Sequence, residues 1–342
     1  VVIGEVVSCT LHPNSDHMHI CQVDVGKEKN VQIVCGASNI KAGIKVIVAL
    51  DGAKLPSGVI KNTQLRGVTS NGMICALCEV GLEENTKENY AKGIFVAPSN
   101  LKNGAPAIPA LGLETTLYEL DIHKHRNNDC YYHIGFAYEI AAILNRKVTL
   151  PDMTYKTSND DVNKQIFVEV DTPKCPYYTG RMATNLTIKE SPDFIKKRLL
   201  DAGMRPINNV VDISNYVMLE FGQPLHFFDK DTLGEKIVVR NAWEEEKLVT
   251  LDNNERTLKT SDIVITDGKK SICLAGVMGG LNTEVTESTK NIFIEAAIFD
   301  NISIRNTANR LNLRSEASIR YGKGLSYEYT NYALDRACHL LE

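Results

Sequence analysis

The chain has 342 residues, of which 43% are hydrophobic and 23% charged, and its formal net charge is −4. That length exceeds one ordinary core, so two or three domains of soluble, globular composition are expected. The charge excludes affinity for nucleic acid by bulk neutralisation of phosphates, and no apolar run approaches the roughly 18 residues of a membrane span.

Nor does the chain begin with a basic segment followed by an apolar one, so no secretory leader is read. Its nine cysteines, scattered from Cys9 to Cys338, do not make a disulfide frame, and reduced thiols in a cytoplasmic protein are expected. It opens on Val1 within a strand-like run and closes at Glu342 within a helical pattern, which suggests a piece of a larger protein. Residues 1–112 hold 10 basic and 9 acidic side chains, and the remainder 28 and 33, so any contact with RNA must come from local patches or another subunit.

From Val1 to Leu113 short strands alternate with Gly and Asn. They run at Val1–Ile3, Ile20–Val25, Val31–Val34, Lys45–Ala49 and Gly72–Ala76. Five or six strands in about 100 residues predict a small closed barrel of the OB type. Pro98–Pro109, rich in proline, is read as the linker that closes this unit.

Asp129–Leu144 follows, with Ile134, Ala137, Ile140, Ala141 and Leu144 on one helical face and Asp129 placed to cap it. This segment, within 114–158, is expected to complete a small split domain whose first half precedes Val1. Pro151–Gln165 is a polar connector. Residues 159–342 read as an α+β domain. Ser191, Pro192 and Asp193 signal a helix start, Gly203 its end, and Asn209–Phe221 a second helix. Strands are expected at Ile237–Val239, Asp262–Ile265, Ser271–Leu274 and Asn291–Ile294, and a closing helix at Tyr327–Leu341. The predicted class is thus multidomain α+β: OB barrel, helical segment, mixed domain.

Generic catalytic templates fail. Cys75 and Cys78 form a lone CxxC; on one regular strand they would face opposite ways, so they are read as core thiols and no metal site is assigned. His133-Ile134-Gly135-Phe136 mimics a nucleotide-binding tetrapeptide of class I synthetases but lacks its second His. Gly276–Gly280 is Gly-rich without the Lys-Ser/Thr of a P-loop, and neither a GxSxG elbow nor an HExxH helix occurs.

Two sets of ordered stretches carry a resemblance. His12–Asp16, Cys21–Gly26, Val34–Asn39, Leu65–Val68 and Ser70–Cys75 together resemble the tRNA-binding OB domain of synthetases and tRNA chaperones. Asn208–Val217, Phe221–Asp229, Ala275–Gly280, Ile294–Phe299 and Leu313–Tyr321 resemble the editing domain of bacterial-type phenylalanyl-tRNA synthetase beta subunits. Departures occur: Asp121–Arg126 replaces a Thr-Pro-Asn-Arg turn common in that family, Ser315 stands where many members have Thr, and Tyr321–Gly324 replaces a more charged stretch.

Read physically, Glu295 interrupts an apolar strand and shares a face with Phe293 and Ala297, where an acid is costly without a partner. His226 leaves a rigid Gly-Gln-Pro turn. Gly276 and Gly279 permit close approach of a substrate to backbone, and Ser315 and Ala317 are small enough to wall a pocket.

The resemblance implies hydrolysis of tyrosine wrongly attached to tRNA(Phe). An apolar pocket rejects an added hydroxyl only about a hundredfold, so a second site that demands the hydroxyl corrects the error. By resemblance Glu295 accepts that hydroxyl, which phenylalanine would leave unmatched at a cost of about 1–3 kcal/mol. Gly276, Gly279, Ser315 and Ala317 hold the amino acid. His226, Asn215 and Ser214 position the water or the terminal ribose; whether His226 is a general base stays open.

The resemblance further implies an alpha-subunit partner in an alpha2-beta2 assembly, with ATP and magnesium serving the whole enzyme and no cofactor in this chain. A reading from another class is a non-catalytic module for tRNA binding and subunit assembly.

Overall fold

The computed structural model describes all 342 residues, Val1–Glu342, in two compact units, Val1–Thr116 and Leu117–Glu342. In the first, strands β1 (Val2–Leu11), β2 (His19–Asp24), β3 (Val31–Cys35), β4 (Lys45–Leu50), β5 (Gly72–Ile74) and β6 (Val96–Ala97) form one antiparallel sheet. Its order is β6-β4-β1-β2-β3, with β5 also on β4. Alternating β-branched residues turn one face inward, and Val6, Val23, Ile33, Val46 and Val48 meet in the core.

The sheet curls back on itself. Asn71 N–H donates to Gln32 O at 2.8 Å, the Gln32 amide to Thr69 O at 2.8 Å, and Val34 N–H to Ser70 Oγ at 3.0 Å. These bonds occupy the free edge of β3 and nearly close an OB-like barrel.

The proline-rich run is not a free linker. Ile3 N–H donates to Ala105 O and Gly104 N–H to Ile3 O, both at 2.8 Å, so the run straps the start of β1. The prolines lie on either side of this pairing and leave its donors intact, and Gly104, at φ +79°, makes the turn. Cys75 and Cys78 are both buried, but β5 has ended by then, and they sit in a turn held by Ala76 N–H to Glu79 Oε2 at 2.7 Å. All nine cysteines are free, and no group of three or more His, Cys, Asp or Glu converges as metal ligands would.

In the second unit the strands are β7 (Phe167–Asp171), β8 (Tyr177–Ala183), β9 (His226–Asp229), β10 (Lys236–Asn241), β11 (Ile263–Thr266), β12 (Ser271–Leu274), β13 (Met278–Gly279) and β14 (Ile292–Ile298). The main helices are α1 (His133–Leu144), α2 (Asp193–Asp201), α3 (Asn209–Phe221), α4 (Asn301–Leu311), α5 (Glu316–Lys323) and α6 (Thr330–Leu341). A five-stranded sheet runs β7-β10-β11-β12-β13, with β7 and β10 parallel. A three-stranded antiparallel sheet runs β8-β14-β9.

The small sheet is covered on both faces, which is why every residue of β14 is buried. Phe293 and Ala297 face the large sheet among Val239, Ile265 and Leu274. Ile292, Ile294 and Ala296 face helices through Val217, Phe221, Ala333 and Leu334. The chain is a multidomain α+β protein whose first unit is an OB-like barrel, and no helix is long and apolar enough to cross a membrane.

Two local expectations differ. The helix read from Asp129 is broken: Tyr132 is extended (φ −162°, ψ 160°), and α1 starts at His133. Asp129 lies in a separate turn, Asn127–Cys130, and accepts from Arg126 Nε at 2.8 Å instead of capping. Only the first turn of α1 packs inward, at Ile134; Ile140 and Leu144 are exposed. Ser191 does not cap α2 either. Its hydroxyl donates to the buried carboxylate of Asp212 at 2.5 Å, a charged acceptor that outcompetes the helix terminus.

Candidate functional site

Glu295 occupies the middle of the central strand of the small sheet, opposite Gly180 of β8 on one side and His226 of β9 on the other. Directly opposed antiparallel residues point to the same face, so Glu295 and His226 project together. Gly180 keeps that face open: a Cβ there would stand 2.2 Å from Phe293 Cζ. Glu295 is 3% exposed, and its one hydrogen bond comes from Tyr178 Oη, which donates to Oε2 at 3.2 Å. Burial raises its pKa from 4.5 to about 8, against the Tyr178 hydrogen bond, which lowers it. Burial thus favours the protonated carboxyl, which can donate as well as accept.

His226 is delivered by α3 and the turn after it. Asn208 caps α3 by accepting from Val210 and Val211 N–H, and Gly222 ends it at φ +78°. The side chain of Gln223 is buried and bridges: its Nε2 donates to Ala297 O at 3.1 Å, and its Oε1 accepts from Thr330 Oγ1 at 3.2 Å. Ser214 Oγ donates to Leu225 O at 2.8 Å, fixing the residue before His226. The imidazole stands edge-on to Phe228, 4.4 Å between centroids. Its Nε2 is buried with no hydrogen-bond partner, and burial alone lowers its pKa from 6.5 to about 4.

The opposite wall is the turn between β12 and β13. Gly276 adopts φ +66°, and a Cβ on Gly279 would lie 2.3 Å from His226 Cε1, so the ring rests on bare backbone. Ser315 joins this turn to α5. Its oxygen accepts from Ser318 N–H at 3.1 Å as the helix cap, and its proton goes to Val277 O at 2.7 Å. The next turn of α5 carries Ala317 and Tyr321, whose hydroxyl donates to Ala297 O at 3.1 Å.

These elements enclose a cavity of about 70 Å³, lined among others by His226, Gly276, Gly279, Glu295, Ala317 and Tyr321. That is several times the roughly 10–15 Å³ one water requires. Five of the residues singled out from sequence thus line one cavity: His226, Gly276, Gly279, Glu295 and Ala317. Ser214 and Ser315 hold its walls through backbone carbonyls. Asn215, half-buried on α3, does not line it.

Sequence reasoning missed Tyr178, Cys273 and Met278, which frame the cavity or the acid, and Gln223 behind them. Tyr178 carries no local signal, because its partner lies two strand positions off on a neighbour known only once the sheet has paired. Gln223 had one: an amide between Gly222 and Pro224 at a helix end.

Comparison with known proteins adds two family models. “Putative tRNA binding domain” matches residues 1–106, and “B3/4 domain” matches residues 174–342. Phenylalanine–tRNA ligase beta subunits of Staphylococcus haemolyticus and Staphylococcus saprophyticus are 50% and 51% identical over 346 aligned residues. The alignments cover 100% of this chain and 43% of each relative, so the chain spans less than half their length. Among solved structures, an N-terminal fragment of the phenylalanyl-tRNA synthetase beta subunit from Pyrococcus horikoshii matches with 18% identity and a TM-score of 0.32. That match covers 55% of this chain and 58% of the fragment.

Proposed function

The chain belongs to the phenylalanine–tRNA ligase beta-subunit family, and from that premise we propose that its B3/4 domain hydrolyses tyrosine from misacylated tRNA(Phe). One observation carries the reading: the buried carboxyl group of Glu295, with a single hydrogen bond, lines the same cavity as His226, whose imidazole Nε2 has no partner. A tyrosyl phenol matches the acid by a hydrogen bond, whereas a phenylalanyl ring leaves it unmatched inside low dielectric.

In the proposed reaction a water oxygen attacks the ester carbonyl carbon, the bond to the ribose oxygen breaks, and that oxygen takes up a proton. His226 orients the water. With a pKa near 4 it stays neutral at pH 7 and has little driving force to hold a proton, which favours positioning over general-base work. Gly276 and Gly279 supply backbone for the aminoacyl end, and Ala317 leaves room for the ring. Ser214 and Ser315 act through the walls they tie down; Asn215 is assigned to the ribose side.

The barrel is proposed to contact tRNA(Phe), and the whole protein to work in the cytoplasm with an alpha subunit as an alpha2-beta2 assembly. The need for ATP and magnesium is assigned to that whole enzyme, outside this chain. The test is deacylation of tyrosyl-tRNA(Phe) by the assembled enzyme with and without Glu295→Ala. The reading requires that the variant lose clearance of the tyrosyl ester while retaining tRNA affinity. Parental clearance by the variant would reject it. Steeply salt-dependent tRNA binding with no deacylation by either protein would favour a non-catalytic binding module.

A further inference from the structure

We propose that Tyr178 is a positioning residue for substrate selection: its phenol holds one oxygen of Glu295, so that the other alone meets the hydroxyl of a phenolic ligand. The inference rests on the reading of the cavity given above. Tyr178 Oη donates to Glu295 Oε2 at 3.2 Å, and no hydrogen bond reaches Oε1. Tyr178 lies on β8, beside the strand that carries Glu295, and packs against the core cluster that includes Phe293 and Ala297.

A carboxyl group can rotate about its last bond, and both oxygens of an untethered Glu295 could then reach into the cavity. The Tyr178 bond removes that freedom and presents one oxygen in one plane. Only a ring with a hydroxyl at the matching depth satisfies it, so a group that never touches the ligand sharpens the choice of ligand.

The ionisable neighbours of Glu295 are Tyr178, Cys175, His226, Cys273 and Tyr321, and none is cationic at neutral pH. Tyr178 therefore supplies the one hydrogen bond that favours the ionised carboxylate. A role through Glu295 makes three linked demands on Tyr178→Phe in the full-length subunit assembled with its alpha partner. The preference for tyrosyl- over phenylalanyl-tRNA(Phe) hydrolysis should fall about tenfold, the worth of one lost hydrogen bond to an ionisable group. The pH at which the rate changes should move upward, because the carboxyl loses its donor. In a Glu295→Ala background, which has no oxygen for Tyr178 to hold, the same change should have no further effect on the preference.

A structural role alone would lower both hydrolysis rates in proportion to folded protein, as monitored by the thermal midpoint, and would leave preference and pH midpoint in place. That result overturns the proposal, as does additivity with Glu295→Ala. If the parent enzyme hydrolyses neither ester, the reading of the cavity fails first, and this inference with it.

Discussion

Replacing Glu295 by Gln tests the electrostatics of the cavity without any substrate. In the unfolded chain the carboxyl ionises near 4.5, while in the folded protein it holds its proton to about 8. Its favourable contribution is thus fully present below pH 4.5 and is lost progressively as pH rises through about 8, because folding takes up a proton throughout that window. At 1.36 kcal/mol per pH unit, the loss reaches about 3 kcal/mol at pH 7 and about 5 kcal/mol above pH 8. Gln keeps the shape, can still accept from Tyr178 and does not titrate. The stability of Glu295→Gln relative to the parent should therefore climb by several kcal/mol between about pH 5 and pH 8, against a total typically of about 5–15 kcal/mol.

Urea unfolding of both proteins at steps across that range measures the gap. The chain's single tryptophan, Trp243, lies in the same unit with the Arg240 guanidinium 3.7 Å from its ring centroid, and its fluorescence reports the transition. A parent–variant difference that stays constant from pH 5 to pH 8 would refute the account, since an unshifted or already ionised Glu295 gives parallel curves.

Gly279→Ala should push the His226 ring off its seat, because the new Cβ meets Cε1 at 2.3 Å with no positive φ to blame. Deacylation should collapse at a stability cost of about 1–3 kcal/mol, read by parallel rate and urea measurements. Ser315→Ala should cost about 1–2 kcal/mol through the lost cap and loosen the Val277 turn, whereas Ser315→Thr should retain both bonds on urea unfolding. Ala317→Trp should fill the cavity, so that tyrosyl-tRNA(Phe) accumulates while phenylalanine activation by the assembled enzyme is untouched. Normal clearance by a fully folded variant would remove Ala317 from the site.

Helix α3 was legible to the residue as Asn209–Phe221, and the structure gives the local reason, Asn208 capping its start and Gly222 ending it. Strand β12 was equally plain and is found at Ser271–Leu274, as read. What failed was what local chemistry shares with distant partners. Ser191 looks like a cap until the buried Asp212 claims its proton, and the tyrosines at 131 and 132 give no warning that the backbone will straighten there. At the site, an acid in an apolar strand was visible as an anomaly. Tyr178, which qualifies that anomaly, and Ser315, whose hydroxyl is already engaged twice, needed the paired sheet and the docked helix to be understood.

The placement of Glu295 between Gly180 and His226 also governs how the cavity comes into being. The three strands are drawn from segments far apart in the chain, so each pairing must first meet the entropy of closing a long loop. Neither hairpin turns nor neighbouring helices can assemble the acid beside the imidazole in advance. Without the β9–β14 pairing the acid and the imidazole are not brought together, and without the β8–β14 pairing the acid lacks Tyr178. The proposed hydrolysis should therefore track the pairing of these strands, and a ligand that enters the cavity should stabilise distant strand pairings it never touches.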